Sequence, residues 1–419
     1  MDEKSKKTPM NSWHRDNGAN MADFGGFDMP LWYETGVKQE HLAVIQSAGI
    51  FDTSHMACVT AEGPDALELL QHCHTRNLAP LRDGRCVYGA ILDGNGHVID
   101  DAIVYRFNQT TFMVCVNAGM GQAVADHLEH HKGGRSVAIE DLSEMIAKID
   151  IQGKNAAKIL AGIIDDPDGV FKTMPYFSFK GHYDEKAPGA SAVMLTDKTP
   201  LLLSRSGYTG EFGFELFVPA SRGVKLWNMI LDAGRALDVI PCGLGARDSL
   251  RAGAVLPLSH QDIGPWPFVN HPWLFALALN SNQTGFTKDF VGKEALEKAM
   301  ADPGTGFTHA FAGDNLRKIG TGAQTEVVDS QGSTIGRVLT CATDMAIGWH
   351  NNRILSMASP DLPEGFTPRG ISCGFVMVNR KLAPEERLTL KEKKRKITVT
   401  IVDDVRPHRT ARKKIDNFR

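Results

Sequence analysis

No stretch of this 419-residue chain approaches the roughly 18 consecutive apolar residues that would span a membrane, so no membrane partner is expected. Its start, MDEKSKKTPMNSWHRDNG, lacks the apolar core of a secretory signal and reads as a flexible lead-in over 1–20. The seven cysteines, at 58, 73, 86, 115, 242, 341 and 373, form no CxxC pair and no regular framework. That pattern fits reduced thiols in a cytoplasmic compartment. Neither GxGxxG nor GxxxxGK[ST] occurs between a strand and a helix, which leaves nucleotide binding of those types unsupported. A G-x-S-x-G elbow is also missing. Histidines at 72, 74, 127, 130 and 131 sit amid Glu and Gln with no second cluster at ligand spacing, so they read as solvated helix faces and no metal is expected. With a net charge of −3 there is no bulk attraction to nucleic acid. Charge is nonetheless uneven: residues 387–419 hold twelve Lys or Arg against four acids. This end suits either a small multi-carboxylate ligand or, in the KEKKRK run at 391–396, a solvated edge strand.

What is present is enough chain for two or three cores, with 42% apolar and 23% charged residues. The aromatic-rich MADFGGFDMPLWY at 21–33, broken by glycines and a proline, predicts packed but irregular chain. A helix follows over 36–48, with Leu42, Ile45 and Ala48 on one stripe, and then IFDTSHMACVTAEG as a strand. Gly63-Pro64-Asp65 signals a second helix with Leu67 and Leu70 inward. A hairpin, a strand at 111–116 and a helix with Met120, Val124 and Leu128 inward complete a compact α+β sandwich, inserted over 59–149. A strand near 149 and a helix over 153–161 open a new section. The segment LLLSRSGYTGEFGFELFV then reads as a hairpin with a tight Gly-containing turn, followed by helices over 222–237 (Val224, Trp227 and Leu231 inward) and 244–253. Residues 305–419 read as a separate all-β domain. A central domain is thus assembled from 21–58 and 150–300.

The hairpin YGAILDGNGHVIDDAIVYR, 88–106, carries two acids where acids are costly. Asp93-Gly94-Asn95-Gly96 supplies residues that tolerate a tight turn. Alternation places Asp101 on a face with Ile99, Ile103 and Tyr105, and Asp100 on a face with Val98, Ala102 and Val104. With both faces covered, at least one carboxyl is held near apolar surface, and its pKa rises unless donors or a cation compensate. Such an acid serves as a catalytic acid or base, or as a structural acid bonded to a backbone N–H or an Arg.

Three further stretches accompany the hairpin: FGGFDMPLWY (24–33) with FDTSHM (51–56), RSGYTGEFGFE (205–215), and CGLGARDSLR (242–251). In this order the set resembles the T-protein (aminomethyltransferase) family of the glycine cleavage system and its folate-dependent relatives. The resemblance implies an α+β, three-domain cloverleaf with a ferredoxin-like inserted domain and a C-terminal β-barrel-like domain around a central folate cavity. It further implies tetrahydrofolate as the one-carbon acceptor, a lipoyl carrier protein as donor partner, and release of ammonia. Asp101 matches the family's essential acid and Glu215 the residue that grips the pterin. Met56, Tyr88, Tyr105, Asn117, Tyr208 and Arg247 match positions that line the folate site or hold its neighbours. The chemistry agrees, because a carboxylate accepts two adjacent pterin N–H groups and tyrosines give apolar contact to a flat ring. For Arg247, pairing with an acid of the site and a structural pair with Asp248 are both open.

After Arg251 the chain departs from the family's Leu-Glu and Glu-Ala-Gly-Leu pattern and reads RAGAVLPLSHQDIGPWPFVNHPWLFALAL, with Asn270 and His271 in the region of the usual acid. The chain is also longer, with extra residues around 165–200. A donor other than the aminomethylated lipoyl arm therefore stays open: a methylated amine, a sulfonium compound or an aryl ether, which would make the protein a folate-dependent demethylase or methyltransferase. A non-catalytic folate-binding assembly protein is the third reading. The branch carrying Lys-Gly-Cys-Tyr is disfavoured, since the corresponding KDFVGKEAL (288–296) has no cysteine.

Overall fold

The computed structural model describes residues 5–419. At its centre a six-stranded sheet runs in the order Phe179–Lys180, Leu202–Ser204, Gly213–Pro219, Ile146–Gln152, Gly49–Asp52, Ile240–Pro241. Alternation along Ile146–Gln152 puts Ile149 and Ile151 on one face, where with Phe214, Leu216, Ile50 and Leu203 they form an apolar core. That core is closed by the helices Ala156–Ala161 and Gly223–Gly234, the latter contributing Leu226, Trp227 and Ile230. The opposite face carries Lys148, Asp150 and Gln152, yet every residue of this strand is buried. Something must therefore cover the polar face as well.

The cover is a five-stranded antiparallel sheet ordered Arg85–Leu92, Val98–Arg106, Thr111–Val116, Ala57–Glu62, Ala138–Asp141. Helices Ala66–Cys73 and Gly121–Lys132 pack on one side of it through Leu69, Leu70, Val124 and Leu128. Chain order gives a ferredoxin-like layout with one strand more, because the middle hairpin has become a three-stranded meander. On the other side Cys58, Cys86, Tyr105 and Cys115 meet Phe179, Leu202 and Phe217 of the central sheet. The turn at 93–97 holds this register: Asp93 Oδ1 accepts from the N–H of Asn95 (2.8 Å) and of His97 (3.0 Å), and Gly96 sits at φ 74°. Asp100 consequently pairs with Ile91 and Asp101 with Ala90. A slip of one residue would exchange the faces of the two acids.

Residues beyond 305 form a closed barrel ordered Phe307–Gly313, Ile371–Val378, Thr334–Asp344, Thr325–Val328, Arg387–Glu392, Arg395–Ile401, with Phe311 pairing Ile401 to close it. Its interior holds Phe311, Val338, Val376, Leu390 and Val399. Buried charge fastens the barrel to the rest. Asp344 accepts from His41 Nε2 (3.1 Å), from the Ala346 N–H (2.9 Å) and from Arg406, whose guanidinium also reaches Glu211 (3.0 Å). Arg251, from the helix Leu244–Gly253, does the same for Asp262 and for Thr340 Oγ1 (3.0 Å).

Several expectations are corrected. From residue 5 the lead-in is packed: Met10 and His14 are buried, and His14 Nε2 (3.0 Å) and Thr8 Oγ1 (2.5 Å) bond the buried Asp52; residues 1–4 lie outside the described residues. The segment expected to be irregular is a hairpin, Asn20–Phe24 with Phe27–Trp32, because Gly25 and Gly26 both take the positive φ of a two-residue turn. IFDTSHMACVTAEG splits into two strands, Gly49–Asp52 and Ala57–Glu62, in different sheets. The helix Gly36–Gln46 buries Val44 against Phe51 and Leu250, and with it Glu40 and His41, which bond the Gly243 N–H and Asp344, while Leu42 and Ile45 are only partly buried. Leu67 and Leu231 are only partly buried and Val224 is exposed. Between Leu202–Ser204 and Gly213–Pro219 lie eight residues rather than a tight turn. His74 is buried rather than solvated.

For Asp344, burial alone would raise the carboxyl, but Arg406 and His41 more than reverse this and hold it below its ordinary 3.8. The stability it contributes is complete above that value and is lost as pH falls beneath it. Arg406→Met leaves two buried acids without their cation. Urea denaturation at neutral pH should show a loss of about 3–5 kcal/mol, and an unchanged midpoint would rule the clamp out.

Candidate active site

The polar face of the central sheet is a row of neighbours set by register: Ser204 opposite Glu215, Glu215 opposite Asp150, Asp150 opposite Phe51. Lys148, two residues along, places Nζ between the acids, 2.7 Å from Glu215 Oε1 and 2.9 Å from Asp150 Oδ1. Arg247 NH1 takes the other oxygen of Asp150 at 2.7 Å. All four side chains are buried, and their charges alternate along the chain of contacts and cancel. Burial raises Asp150 towards neutrality, yet Lys148 and Arg247 together pull it down to about 2. For Lys148, burial opposes the charge, and Asp150 with Glu215 reverses that, so its pKa is raised.

Across the interface stand the paired acids. The strand Thr111–Val116 ends its ladder at Cys115 opposite Ile103, so Asn117 emerges beside Asp101 with its N–H free of the sheet. That N–H donates to Asp100 Oδ2 (2.7 Å), while Asn117 Nδ2 bridges Asp100 Oδ1 (2.8 Å) and Asp101 Oδ1 (2.5 Å). Tyr88 donates its hydroxyl to Asp101 Oδ2 at 2.8 Å. Asp100 is wholly buried and Asp101 partly so. Burial, reinforced by the neighbouring Asp100 charge, pushes Asp101 up to about 7, against the pull of Tyr88 and Asn117. A carboxyl with that pKa is half protonated at neutrality and can both take and give a proton.

The remaining expected residues divide. Tyr208, partly buried, lies between the two clusters: its ring is 4.9 Å from the Arg247 guanidinium, its hydroxyl donates to the Pro257 carbonyl, and it feels the charge of Asp101. Arg247 serves Asp150 and Asp248 belongs to Arg251, so of the two readings left open for Arg247 the structure shows the pair with an acid of the row and not the pair with Asp248. Tyr105 is too deeply buried to lie against a ligand ring; packed between Phe179 and Phe217, it donates instead to Glu215 Oε2 (3.2 Å). Met56 packs, partly buried, on that same cluster. Glu215 also accepts from Ser206 (2.5 Å). Three of its roughly four lone-pair sites are thus taken by the protein, and the expected double acceptance of two ligand N–H groups is reduced to about one free site.

Lys148, Asp150, Ser206 and His260 were not anticipated. The signal for the first two was available in KIDIQ (148–152), where charged and polar residues alternate with isoleucine in a strand both of whose faces are covered. His260 Nε2 lies 3.6 Å from Asp100 Oδ1 and comes from the segment that departs from the family pattern. The extra residues before 200 line a separate groove of about 1220 Å³ with Asn108, Glu140 and Lys225, which none of these site residues enters.

The family pattern described as the GCVT N-terminal domain matches residues 10–266, well over half of the chain. The chain belongs to this family. Within the GCVT family, the chain is similar to the aminomethyltransferase of Shouchella clausii (strain KSM-K16), 35% identical over 367 residues that span 83% of this chain and 93% of the relative. It is also similar to the aminomethyltransferase of Streptomyces avermitilis, 38% identical over 71% of this chain and 74% of that one. Among solved structures, the glycine cleavage system aminomethyltransferase T from Bartonella henselae superposes with a TM-score of 0.76 at 26% identity, covering 94% of this chain and 96% of that one. The GCVT match ends at 266, within the departing segment, and the solved relative extends the likeness over the barrel.

Lys148→Met leaves Glu215 and Asp150 facing each other without the cation between them. We expect a stability loss of about 3–5 kcal/mol by urea denaturation. An unchanged midpoint would mean that the row does not depend on Lys148.

Proposed function

We propose that the chain is a tetrahydrofolate-dependent aminomethyltransferase that takes a one-carbon unit from an aminomethylated lipoyl carrier protein and releases ammonia. One observation carries this reading. In a chain that aligns over most of its length with aminomethyltransferases, Asp101 is a partly accessible carboxyl titrating near neutrality beside the polar row. The seven thiols are all free, and we place the protein in a reducing, cytoplasmic compartment.

The residues suit a reduced pterin. Glu215 retains an acceptor site, and Met56, Tyr88 and Tyr208 are partly accessible for apolar contact. Tetrahydrofolate, when bound, supplies the amine nitrogens that receive the carbon. The protein's part is to hold and move protons. Tyr88 and Asn117 fix the two oxygens of Asp101, so its carboxylate meets an N–H in one orientation. Lys148 donates to Glu215 Oε1 and holds that carboxyl in place as an acceptor, and Arg247 takes the second oxygen of Asp150. The cover of the five-stranded sheet excludes water from the row, where each charge acts at full strength.

A second reading, a methyltransferase for a small methylated cation, is favoured by one feature. Phe275, 55% exposed and part of the departing segment, sets its ring 5.8 Å from that of Tyr88, next to Asp101. Aromatic rings beside a carboxylate suit a methylated ammonium or sulfonium group.

Mass spectrometry of folate products separates the readings. Methylene-tetrahydrofolate with ammonia from the aminomethylated carrier supports the first, and methyl-tetrahydrofolate from a methylated amine or sulfonium supports the second. Taking a proton is work for the ionised form of Asp101, so turnover should rise with pH to a plateau above about 7. Asp101→Asn should abolish turnover while folate affinity stays within a few-fold. Full turnover in that variant would remove Asp101 from the chemistry.

A further inference from the structure

Two carboxylates that share one amide group oppose each other's ionisation, and Asn117 Nδ2, donating to both Asp100 and Asp101, holds them in that relation. Asp100 has no Lys or Arg within ion-pair distance among the described residues. The cationic group that faces it is His260, whose Nε2 lies 3.6 Å from Oδ1. Its side chain is 49% exposed, so it exchanges protons directly with solvent. The backbone of His260 sits at φ 62°, a left-handed conformation that a non-glycine residue keeps only when its surroundings hold it there.

We propose that His260 is a positioning residue for the transfer reaction: seated on Asp100, its charge sets how readily Asp101 gives up its proton. The inference rests on Asp101 being the reacting carboxyl. Histidine is the side chain whose charge ordinarily changes between pH 5 and 8, the range in which Asp101 must titrate to act. When His260 is protonated it offsets the Asp100 charge, and Asp101 ionises more easily. When His260 is neutral, the Asp100 charge acts unopposed and the proton on Asp101 is retained. The other groups facing the pair do not change charge in this range: Tyr88, bonded to Asp101, and Tyr208 are both pushed above their ordinary phenol value by burial. The Asp100 interaction raises the pKa of His260 against the effect of its partial burial, so the imidazolium form persists towards neutrality.

His260→Gln removes the charge from a half-exposed side chain, and His260→Lys makes the charge permanent. We expect the acid limb of the pH–rate profile to move up by about 0.5 unit or more in His260→Gln and to return to or below its original position in His260→Lys. The titration of Asp101 is read independently by carboxyl carbon-13 NMR on aspartate-labelled protein, its resonance assigned by its loss in Asp101→Asn. An Asp101 titration that does not move in His260→Gln overturns the proposal. A titration that moves while the pH–rate limb stays put supports the His260 couple and overturns the assignment of Asp101 as the reacting carboxyl.

Discussion

The alternating charges of Glu215, Lys148, Asp150 and Arg247 are the constraint on which the architecture turns. A sheet with an apolar core on one side and a charged row on the other could present that row to water, but here a second sheet seals it. Sealing four charges is tolerable only because each has an opposite neighbour within 3 Å and the sum is zero. Register does this work. Glu215, Asp150 and Phe51 are cross-strand partners on three adjacent strands, so the spacing of the charges is the spacing of the strands. The row is therefore rigid to the degree that the sheet is rigid, which is what a site that orients a flat ligand requires.

Across the interface the carboxyls follow the opposite rule. Asp100 and Asp101 are adjacent like charges with no Lys or Arg paired to either among the described residues, held by amide and hydroxyl donors. One sheet thus provides ionised groups balanced at fixed charge, and the other a carboxyl poised between its two forms. The division matches the two tasks of the proposed reaction, holding a ligand and moving its protons.

Much of this was legible in the sequence, and the failures have physical causes. The hairpin with its acids could be read because a turn of Asp, Gly and Asn fixes phase, and phase alone decides which acid shares a face with Tyr105. The inserted α+β layer and the all-β C-terminal domain could be read from element order, and their ferredoxin-like and barrel forms from the family resemblance. Periodicity does not say what covers a face. Tyr105 was therefore placed against a ligand when it lies in a sheet interface, and Val224 was placed inward when it faces out. Starting the strand at 149 instead of Ile146 left Lys148 outside it and hid the row. His260 and Arg247 take partners more than 90 residues away in sequence, which local pattern does not reach.

The clamp around Asp344 sets an order on biosynthesis. It joins residues 41, 344 and 406, so it stays open until residue 406 has been synthesised. At translation speeds of roughly 5–20 residues per second, the nascent chain spends several seconds with Asp344 made and its arginine still to come. Over that interval the barrel has no stable seat on the helices, since docking would bury an acid balanced by His41 alone. The two sheets around the charged row, whose strands all lie before residue 242, are free to pair first. The strands that carry the row and the paired acids are therefore complete before the clamp can close.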